Sequence, residues 1–288
     1  MPVRTDISPL SLLLTRVDAV VDGVAPPDGI PTGFPSLDHL LGGGLRHGDL
    51  VVLGGDVGSG KSALALAIAL RARAAGHEVE LITGEMDIPR LLERALAIEG
   101  RATIDSIRQG KLDDSTRASV GAAALRMRDA LPGISRISIN GNGSGADEIA
   151  ERVRALKDEC ELVVVDSLQG VPAGKLPQDE ELATAVRLLK SAAVDARVAV
   201  LLTAQLPALL RAHPDNRPVL DDFGVLGAVK QHADIALALY REEIYSGGAG
   251  QEGAAELAIL KNRNGPTAYV DLYFYKQWLR FEDMVEPG

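Results

Sequence analysis

Residues 49–65 read Asp-Leu-Val-Val-Leu-Gly-Gly-Asp-Val-Gly-Ser-Gly-Lys-Ser-Ala-Leu-Ala, an apolar run that enters a glycine-rich turn and leaves it as a run of helix-forming residues. Gly55, Gly60, Lys61 and Ser62 satisfy the phosphate-binding pattern G-x-x-x-x-G-K-[ST] between a predicted strand and a predicted helix. Glycines let backbone N–H groups close around phosphates, and the positive end of the following helix points at them. The alternative is a glycine-rich turn that binds nothing, but four specified positions at this spacing arise by chance in roughly one chain in a hundred. The stretch therefore predicts a nucleotide site.

The residues of this phosphate loop have distinct expected roles. Lys61 is expected to reach the β- and γ-phosphates, and the Ser62 hydroxyl is expected to ligate Mg²⁺. The predicted nucleotide-binding residues are Gly55, Gly58, Ser59, Gly60, Lys61 and Ser62.

The composition narrows the class of protein. At 288 residues with 46% hydrophobic residues, the chain has room for one large α/β domain or two small ones. The single cysteine, Cys160, excludes a disulfide framework and a cysteine-based zinc site, and it fits a cytoplasmic protein. No signal peptide is recognisable, and the longest apolar runs are too short to span a membrane. Aromatic residues make up 3% of the chain and its net charge is −10, which argues against broad, non-specific DNA binding.

Alternating patterns along the chain predict an α/β fold. Apolar runs predict strands at 50–53, 78–83, 135–139, 162–165, 199–203 and 234–240, with helical patterns between them. Wholly apolar strands that alternate with helices are typical of a mostly parallel central sheet flanked by helices. The β-rich segments at 255–283 predict antiparallel strands at its end.

The amino-terminal residues form a separate unit in this interpretation. Residues 8–22 carry leucine and valine at helical spacing, and a proline-rich break follows at 25–29. We therefore divide the chain into a linker helix with its linker, residues 1–28, and a main domain, residues 29–288. The apolar face of the helix must be buried on its own domain or on a neighbouring subunit.

Three predicted strands end in polar residues, and ligands of parallel sheets bind beyond such ends. A lone Asp166 would be a turn-former, but beside a phosphate loop its carboxylate is better explained as support for Mg²⁺ and its water. Glu85 follows the predicted strand at 78–83 and is the candidate for the base that orients the attacking water, although a lone glutamate there is more commonly a solvated charge at a strand end. Gln205 is either a group that hydrogen-bonds the γ-phosphate or an ordinary amide at a loop start, and the residues alone leave these even.

The segment Lys261-Asn262-Arg263-Asn264-Gly265-Pro266 is predicted to be a turn between two strands that carries two cations. From the residues alone it is an anion clamp or a solvated hairpin, and the second is commoner.

Taken together, these segments resemble the carboxy-terminal motor domain of DnaB-type replicative helicases, in the RecA-like branch of P-loop ATPases. The resemblance covers about residue 8 to residue 283 in the family's order. It is carried by Gly-Ile-Pro-Thr-Gly-Phe-Pro-Ser-Leu-Asp (29–38), Gly84-Glu85-Met86, Val165-Asp166-Ser167-Leu168-Gln169, Ala204-Gln205-Leu206 and residues 261–267. RadA-like and KaiC-like ATPases share the Leu41-Gly-Gly-Gly-Leu45 segment and a related Lys-x-Arg turn, so they remain close relatives.

The resemblance implies a Mg²⁺-dependent ATPase that forms a homo-hexameric ring, translocates on single-stranded DNA and unwinds duplex DNA. It implies that Arg263 and Lys261 reach the γ-phosphate bound by the neighbouring subunit, and that the helix at 8–22 packs on the adjacent protomer. The implied catalytic residues are Glu85, Lys61, Gln205, Arg263 and Lys261. The alternatives are a RadA- or KaiC-like ring ATPase that acts in recombination or protein remodelling, and a nucleotide-gated assembly module.

Two departures from the family qualify these expectations. Only 28 residues precede Gly29, where the family carries an amino-terminal domain that docks primase, so coupling to primase is doubtful in this interpretation. Where the family carries an Arg-Glu-Ser-Gly stretch that contacts single-stranded DNA, this chain reads Gly224-Val225-Leu226-Gly227. We therefore expect weak binding of single-stranded DNA that depends on ATP. Arg217 and Lys230 are candidate substitute contacts, but each is more simply explained as a surface charge.

Overall fold

The structure, a computed structural model, describes residues 8–24, 28–84, 86–136, 145–170, 177–206, 213, 215–246 and 251–284. The α-helices in these ranges are α1 Pro9–Val21, α2 Pro35–Leu40, α3 Lys61–Ala74, α4 Ile88–Gly100, α5 Ile104–Gln109, α6 Asp114–Asp129, α7 Gly145–Ala155, α8 Gln178–Ala196 and α9 Ala228–His232. The strands are β1 Leu50–Gly55, β2 Val79–Thr83, β3 Gly133–Arg136, β4 Leu162–Asp166, β5 Ala199–Gln205, β6 Ile235–Tyr240, β7 Ala254–Asn262, β8 Ala268–Tyr275 and β9 Arg280–Asp283.

These strands form one sheet in the order β3-β2-β4-β5-β1-β6-β7-β8-β9. The pairs from β3 to β6 are parallel, and the pairs from β6 to β9 are antiparallel. This confirms the predicted mostly parallel sheet with antiparallel carboxy-terminal strands. The phosphate-loop strand β1 lies at the centre, between β5 and β6.

The central strands are apolar throughout because helices cover both faces of the sheet. Alternate residues of β1 belong to two cores: Val51 and Leu53 pack with α3 and α4, whereas Leu50 and Val52 pack with α7 and α8. All four side chains are fully buried. Burial of a side chain of this size contributes about 1.5–3 kcal/mol, so the strand that leads into the phosphate loop is held firmly from both sides.

The pairing register of the parallel strands places their polar carboxyl ends side by side at one edge of the sheet. Gly55 pairs with Gln205, and Thr83 pairs with Asp166, at the carboxyl ends of four parallel strands. The amino-terminal ends of β1 and β6 form the opposite edge, where Ile235 pairs with Asn262 of β7. The sheet therefore separates two sets of predicted site residues.

Helix α1 confirms the predicted amphipathic helix, and its apolar side chains are exposed in this single chain. Leu10 is 64% exposed, Leu13 is 57% exposed and Val17 is 48% exposed. Serine caps the helix, since the Ser8 side chain accepts a hydrogen bond from the Ser11 backbone N–H. What covers the apolar face stays a prediction.

The short helix α5 is absent from the sequence-based assignment. Its signals are local: the Thr103 side chain accepts from the Ser106 N–H, and Gly110 ends the helix with a φ of +65°. Six residues provide too little periodicity to stand out from a loop. Separately, none of the helices in the described ranges has both the length and the apolar character that crossing a membrane requires.

Candidate functional site

The phosphate loop joins β1 to α3, as predicted, and its conformation depends on glycine at two places. Gly60 has a φ of +103°, and a Cβ atom there would lie 2.8 Å from the Phe281 ring. At Gly55 a Cβ would lie 2.6 Å from Ser59 Oγ and 3.0 Å from the Leu239 carbonyl oxygen. Neither position has room for a side chain, so the pattern's glycines are required by this backbone.

The side chains of the loop fit a phosphate ligand. Ser59 Oγ is buried without a hydrogen-bond partner among the described residues, which is costly unless a ligand supplies one. Lys61 Nζ donates to the Asp56 carbonyl oxygen at 2.8 Å, so the ammonium group lies over the turn. A cation and the amino-terminal end of a 14-residue helix therefore meet at the loop.

Ser62 and Asp166 are brought together, as the magnesium prediction requires. Ser62 Oγ donates to Asp166 Oδ1 at 3.0 Å, and Thr203 Oγ1 donates to the same oxygen at 2.6 Å. A hydroxyl and a carboxylate are the oxygen ligands that Mg²⁺ takes alongside phosphates and waters. No group of three His, Cys, Asp or Glu side chains in the described ranges is arranged to hold a metal ion.

Gln205 lies at the same edge of the sheet, next to the start of the loop. Its backbone is fixed by the Gln169 amide, which accepts from the Gln205 N–H at 2.9 Å and donates to the Gln205 carbonyl oxygen at 3.2 Å. The Gln205 residue is exposed. Glu85 lies outside the described residues. The preceding residue, Gly84, is held next to Asp166, because the Gly84 N–H donates to the Asp166 carbonyl oxygen at 3.2 Å.

Arg241, directly after β6, braces the loop from outside and was missed by the sequence analysis. Its guanidinium is 8% exposed, donates to the Gly58 carbonyl oxygen at 3.0 Å and lies 4.3 Å from the centroid of the Phe274 ring. Glu243 pairs with it. With the carbonyl group of Gly58 engaged on this side, the loop's backbone is held in place. Only its position directly after a buried strand could have drawn attention to this arginine.

A cavity of about 440 Å³ lies beside the loop. Its lining includes Lys61, Ser62, Arg94, Arg241, Phe274 and Lys276. Four of these six side chains are cationic, which suits a polyphosphate. Phe274 is buried under Arg241 and Phe281, so it forms the floor of the cavity. Arg94 on α4 is a further residue that the sequence analysis missed, because it stands among the helix's core positions Leu91, Ala95 and Ile98 with no motif around it.

The structure does not bring Lys261 and Arg263 to the phosphate loop of their own chain. Both lie at the opposite edge of the sheet, because β7 runs antiparallel to β6 and pairs Asn262 with Ile235. The six residues of β1 separate the two edges by roughly 17 Å, a length beyond the reach of an arginine side chain.

The two cations are held by the end of helix α9. Lys261 Nζ donates to the carbonyl oxygens of Lys230, at 2.7 Å, and Ala233, at 2.5 Å. Arg263 Nη2 donates to the Gln231 carbonyl oxygen at 2.6 Å. Carbonyl groups at a helix carboxyl end attract cations, which explains this arrangement. Burial, and then the neighbouring Arg263 charge, lower the pKa of Lys261.

The loop predicted to face DNA has an unusual backbone. Gly224 has φ +53° and ψ −121°, which only glycine adopts readily, and Leu226 has φ +52° with its side chain 65% exposed. The possible substitute cations are both paired: Arg217 Nη2 lies 3.0 Å from Glu256, and Lys230 lies 2.8 Å from Asp221. The described part of this surface thus offers little uncompensated positive charge.

The sequence was compared with protein families and with known proteins. The sequence profile of the DnaB-like helicase C terminal domain matches residues 29–283. The replicative DNA helicase DnaB of Geobacillus stearothermophilus is 31% identical over 268 residues, which cover 89% of this chain and 57% of that protein. The chain thus spans little more than half the length of this relative.

Two solved structures share the fold. One is an ATPase domain that superposes with a TM-score of 0.84 at 24% identity and covers 97% of this chain and 100% of that one. "The Structure Of A DnaB-Like Replicative Helicase And Its Interactions With Primase" gives a TM-score of 0.82 at 23% identity, over 96% of this chain and 67% of that one. The fold is therefore that of the RecA-like ATPase domains, as predicted.

Proposed function

The chain belongs to the DnaB-like helicase C-terminal domain family, and from this membership we propose that it is a Mg²⁺-dependent ATPase that assembles into a hexameric ring, translocates on single-stranded DNA and unwinds duplex DNA in the cytoplasm. One observation carries the proposal beyond the family match. The phosphate loop and the Lys261/Arg263 turn lie at opposite edges of the same sheet. A complete site built from both therefore requires two chains.

The first half-site binds and orients ATP. Lys61 and the loop's backbone N–H groups would hold the phosphates, and Ser62 and Asp166 would hold Mg²⁺, which would supply charge neutralisation. Glu85 orients the attacking water and accepts its proton. Gln205 contacts the γ-phosphate and responds to its loss.

The second half-site comes from the neighbouring chain. Arg263 supplies an arginine finger that stabilises charge on the transferred phosphoryl group, and Lys261 supports it. The placement of both cations away from their own loop supports this role. Packing of α1 on the adjacent protomer would bury its exposed leucines, which supports the division into a linker unit (1–28) and a motor domain (29–288).

Binding of single-stranded DNA is weak and depends on ATP in this proposal. DNA is held mainly through its phosphates, and the described loop offers few uncompensated cations. A ring sums six weak contacts into one useful channel, and ATP stabilises the ring. The same loop favours a second candidate function, a ring ATPase of the RadA or KaiC kind without helicase activity.

Two inactive variants test the shared site. Lys61→Ala lacks the cation nearest the phosphates, and Arg263→Ala lacks the finger, which is worth about three to five decades of turnover in comparable enzymes. When the two proteins are mixed and exchange subunits, roughly one interface in four unites an intact phosphate loop with an intact finger. We expect each protein alone to be inactive and the mixture to regain ATPase activity.

The control is a mixture of Lys61→Ala with a Lys61→Ala/Arg263→Ala double variant, which forms no complete interface. Subunit exchange is verified with two fluorescent labels. Fully exchanged rings without recovered ATPase activity would contradict a site shared between chains.

A further inference from the structure

Strand β6 joins the two edges of the sheet, and the residue directly before it is an almost fully buried carboxylate. Asp234 is 4% exposed. Its backbone N–H donates to the Leu50 carbonyl oxygen at 2.9 Å, and its Oδ2 accepts from the Leu50 N–H at 2.8 Å. Asp234 is therefore attached to the first residue of the phosphate-loop strand by two hydrogen bonds.

A second attachment comes from helix α8. Lys190 Nζ donates to Asp234 Oδ2 at 2.6 Å and to the Gly48 carbonyl oxygen at 2.8 Å. A buried carboxylate is unfavourable unless a charge and hydrogen bonds compensate it, and here both are present. The Asp234 carboxylate consequently has one well-defined position.

The other side of Asp234 faces the turn that carries the finger. The Arg263 backbone N–H donates to the Asp234 carbonyl oxygen at 3.0 Å, and Arg263 Nη1 lies 3.5 Å from Asp234 Oδ1. The Arg263 side chain is 47% exposed, so half of it faces solvent while the rest is held by Asp234 and the Gln231 carbonyl oxygen. Its orientation thus depends on a buried group anchored to β1 and α8.

We propose that Asp234 is a positioning residue that fixes Arg263 relative to the phosphate-loop strand of its own chain, so that the guanidinium projects correctly into the neighbour's site. The inference rests on the proposed function, because it assumes that Arg263 acts between chains. Asp234 is then the group that orients the Arg263 guanidinium. It also links the two half-sites of one chain, since Asp234 holds one end of β1 and the phosphate loop follows the other end.

The mixed-ring assay separates this role from a structural one. Asp234→Asn keeps the size of the side chain and an oxygen that accepts from Leu50, but it removes the charge that faces Arg263. We place it either in the donor chain, which carries Lys61→Ala and supplies the finger, or in the acceptor chain, which carries Arg263→Ala and supplies the phosphate loop.

In the donor chain we expect Asp234→Asn to lower the recovered ATPase rate about ten- to hundredfold, because a finger displaced by an ångström loses most of its effect. In the acceptor chain we expect a change of less than twofold, because the finger of that chain is already removed. The KM for ATP should be unchanged in both mixtures. Lys190→Met in the donor chain is the matched control. Like Asp234→Asn, it removes the ion pair between Lys190 and Asp234, but it leaves the carboxylate that faces Arg263.

The possible outcomes are distinct. Equal losses in donor and acceptor, or no loss in either, would overturn the inference and leave the proposed function intact. No recovery in the parent mixture would overturn the proposed function, and the inference with it. If Asp234→Asn fails to fold beside an unpaired Lys190, the neutral double variant Asp234→Asn/Lys190→Met is placed in the same two positions, and the same comparison decides.

Discussion

At the scale of single residues, a few polar groups converge on the end of β4. Ser62 and Thr203 both donate to the Asp166 carboxylate, and the Gly84 N–H donates to the backbone carbonyl oxygen of Asp166. The Ser62 contact places the Asp166 carboxylate beside the phosphate loop. The residue between Gly84 and Met86 is therefore the natural candidate for water activation, although Glu85 itself lies outside the described residues.

Glu85→Gln tests that assignment. The amide keeps the size of the side chain but cannot accept a proton, so hydrolysis should slow by about two to four decades. This corresponds to roughly 3–5 kcal/mol of barrier. Nucleotide affinity, measured with a fluorescent ADP analogue, should stay within about threefold of the wild-type value, since an isosteric amide leaves the phosphate contacts in place. Hydrolysis at the wild-type rate would show that another group activates the water.

Asp49 gives a pH-dependent signature at the opposite edge of the sheet. Burial, and then the Asp234 charge, raise its pKa from 3.8 to about 6, although Lys190, Arg46 and Arg263 oppose the shift. Between these two pH values the folded chain retains a proton that the unfolded chain has released. The contribution of Asp49 to the free energy of unfolding therefore falls as the pH rises through this window.

Asp49→Asn should remove that dependence. We expect the free energy of unfolding of the variant, relative to wild type, to increase between pH 4 and pH 6 and then to level off. Urea denaturation at a series of pH values measures this difference. A difference that stays constant across the window, or decreases, would mean that Asp49 titrates normally in the folded chain.

At the scale of elements, the loop before α9 is the proposed contact with single-stranded DNA. Gly224 cannot be replaced by arginine without strain, because its φ and ψ suit glycine alone. Leu226 is a better position, since it is exposed and already has a non-glycine side chain at positive φ. A cation can therefore be introduced at position 226 without new backbone strain.

Leu226→Arg should tighten binding of single-stranded DNA and steepen its salt dependence by about one phosphate contact per engaged subunit. Leu226→Gln is the matched control, because it is polar without being charged. Fluorescence anisotropy across a salt series, with and without a non-hydrolysable ATP analogue, measures both quantities. An unchanged salt slope for the arginine variant would place the DNA contacts elsewhere on the chain.

The elements that could be predicted from the sequence are those with long, regular patterns. β1, β4 and β5 are continuous apolar runs, and the phosphate loop has a fixed spacing, so their type and order followed directly. α5 was missed because six residues do not establish a period. Arg241 was missed because its role depends on Gly58, which is 183 residues away in the sequence.

At the scale of the whole molecule, the separation of the two half-sites was the least predictable feature from patterns alone. The β-rich pattern at 255–283 predicts antiparallel strands, but it does not predict the pairing of Ile235 with Asn262, which puts Arg263 at the edge away from the phosphate loop. The resemblance supplied the idea of a finger between chains. The sheet topology supplies its physical reason, because one chain cannot bring both edges to one nucleotide.

The net charge of −10 also acts at this scale. An acidic chain repels a polyanion, so in the proposed hexamer DNA should bind only where local cations are summed around the ring. An effect of DNA on the assembled ring would distinguish a DNA motor from a ring ATPase of the RadA or KaiC kind that acts on another partner.

The most direct test of the account is the rate of ATP hydrolysis by the purified protein, measured with and without single-stranded DNA in the presence of Mg²⁺. We predict hydrolysis that single-stranded DNA accelerates at low salt and that increases with protein concentration as rings form. Glu85→Gln should slow it by about two to four decades. A rate of hydrolysis that single-stranded DNA does not change at any salt or protein concentration would contradict the proposed DNA motor. Nucleotide binding without measurable turnover would contradict the proposed ATPase activity.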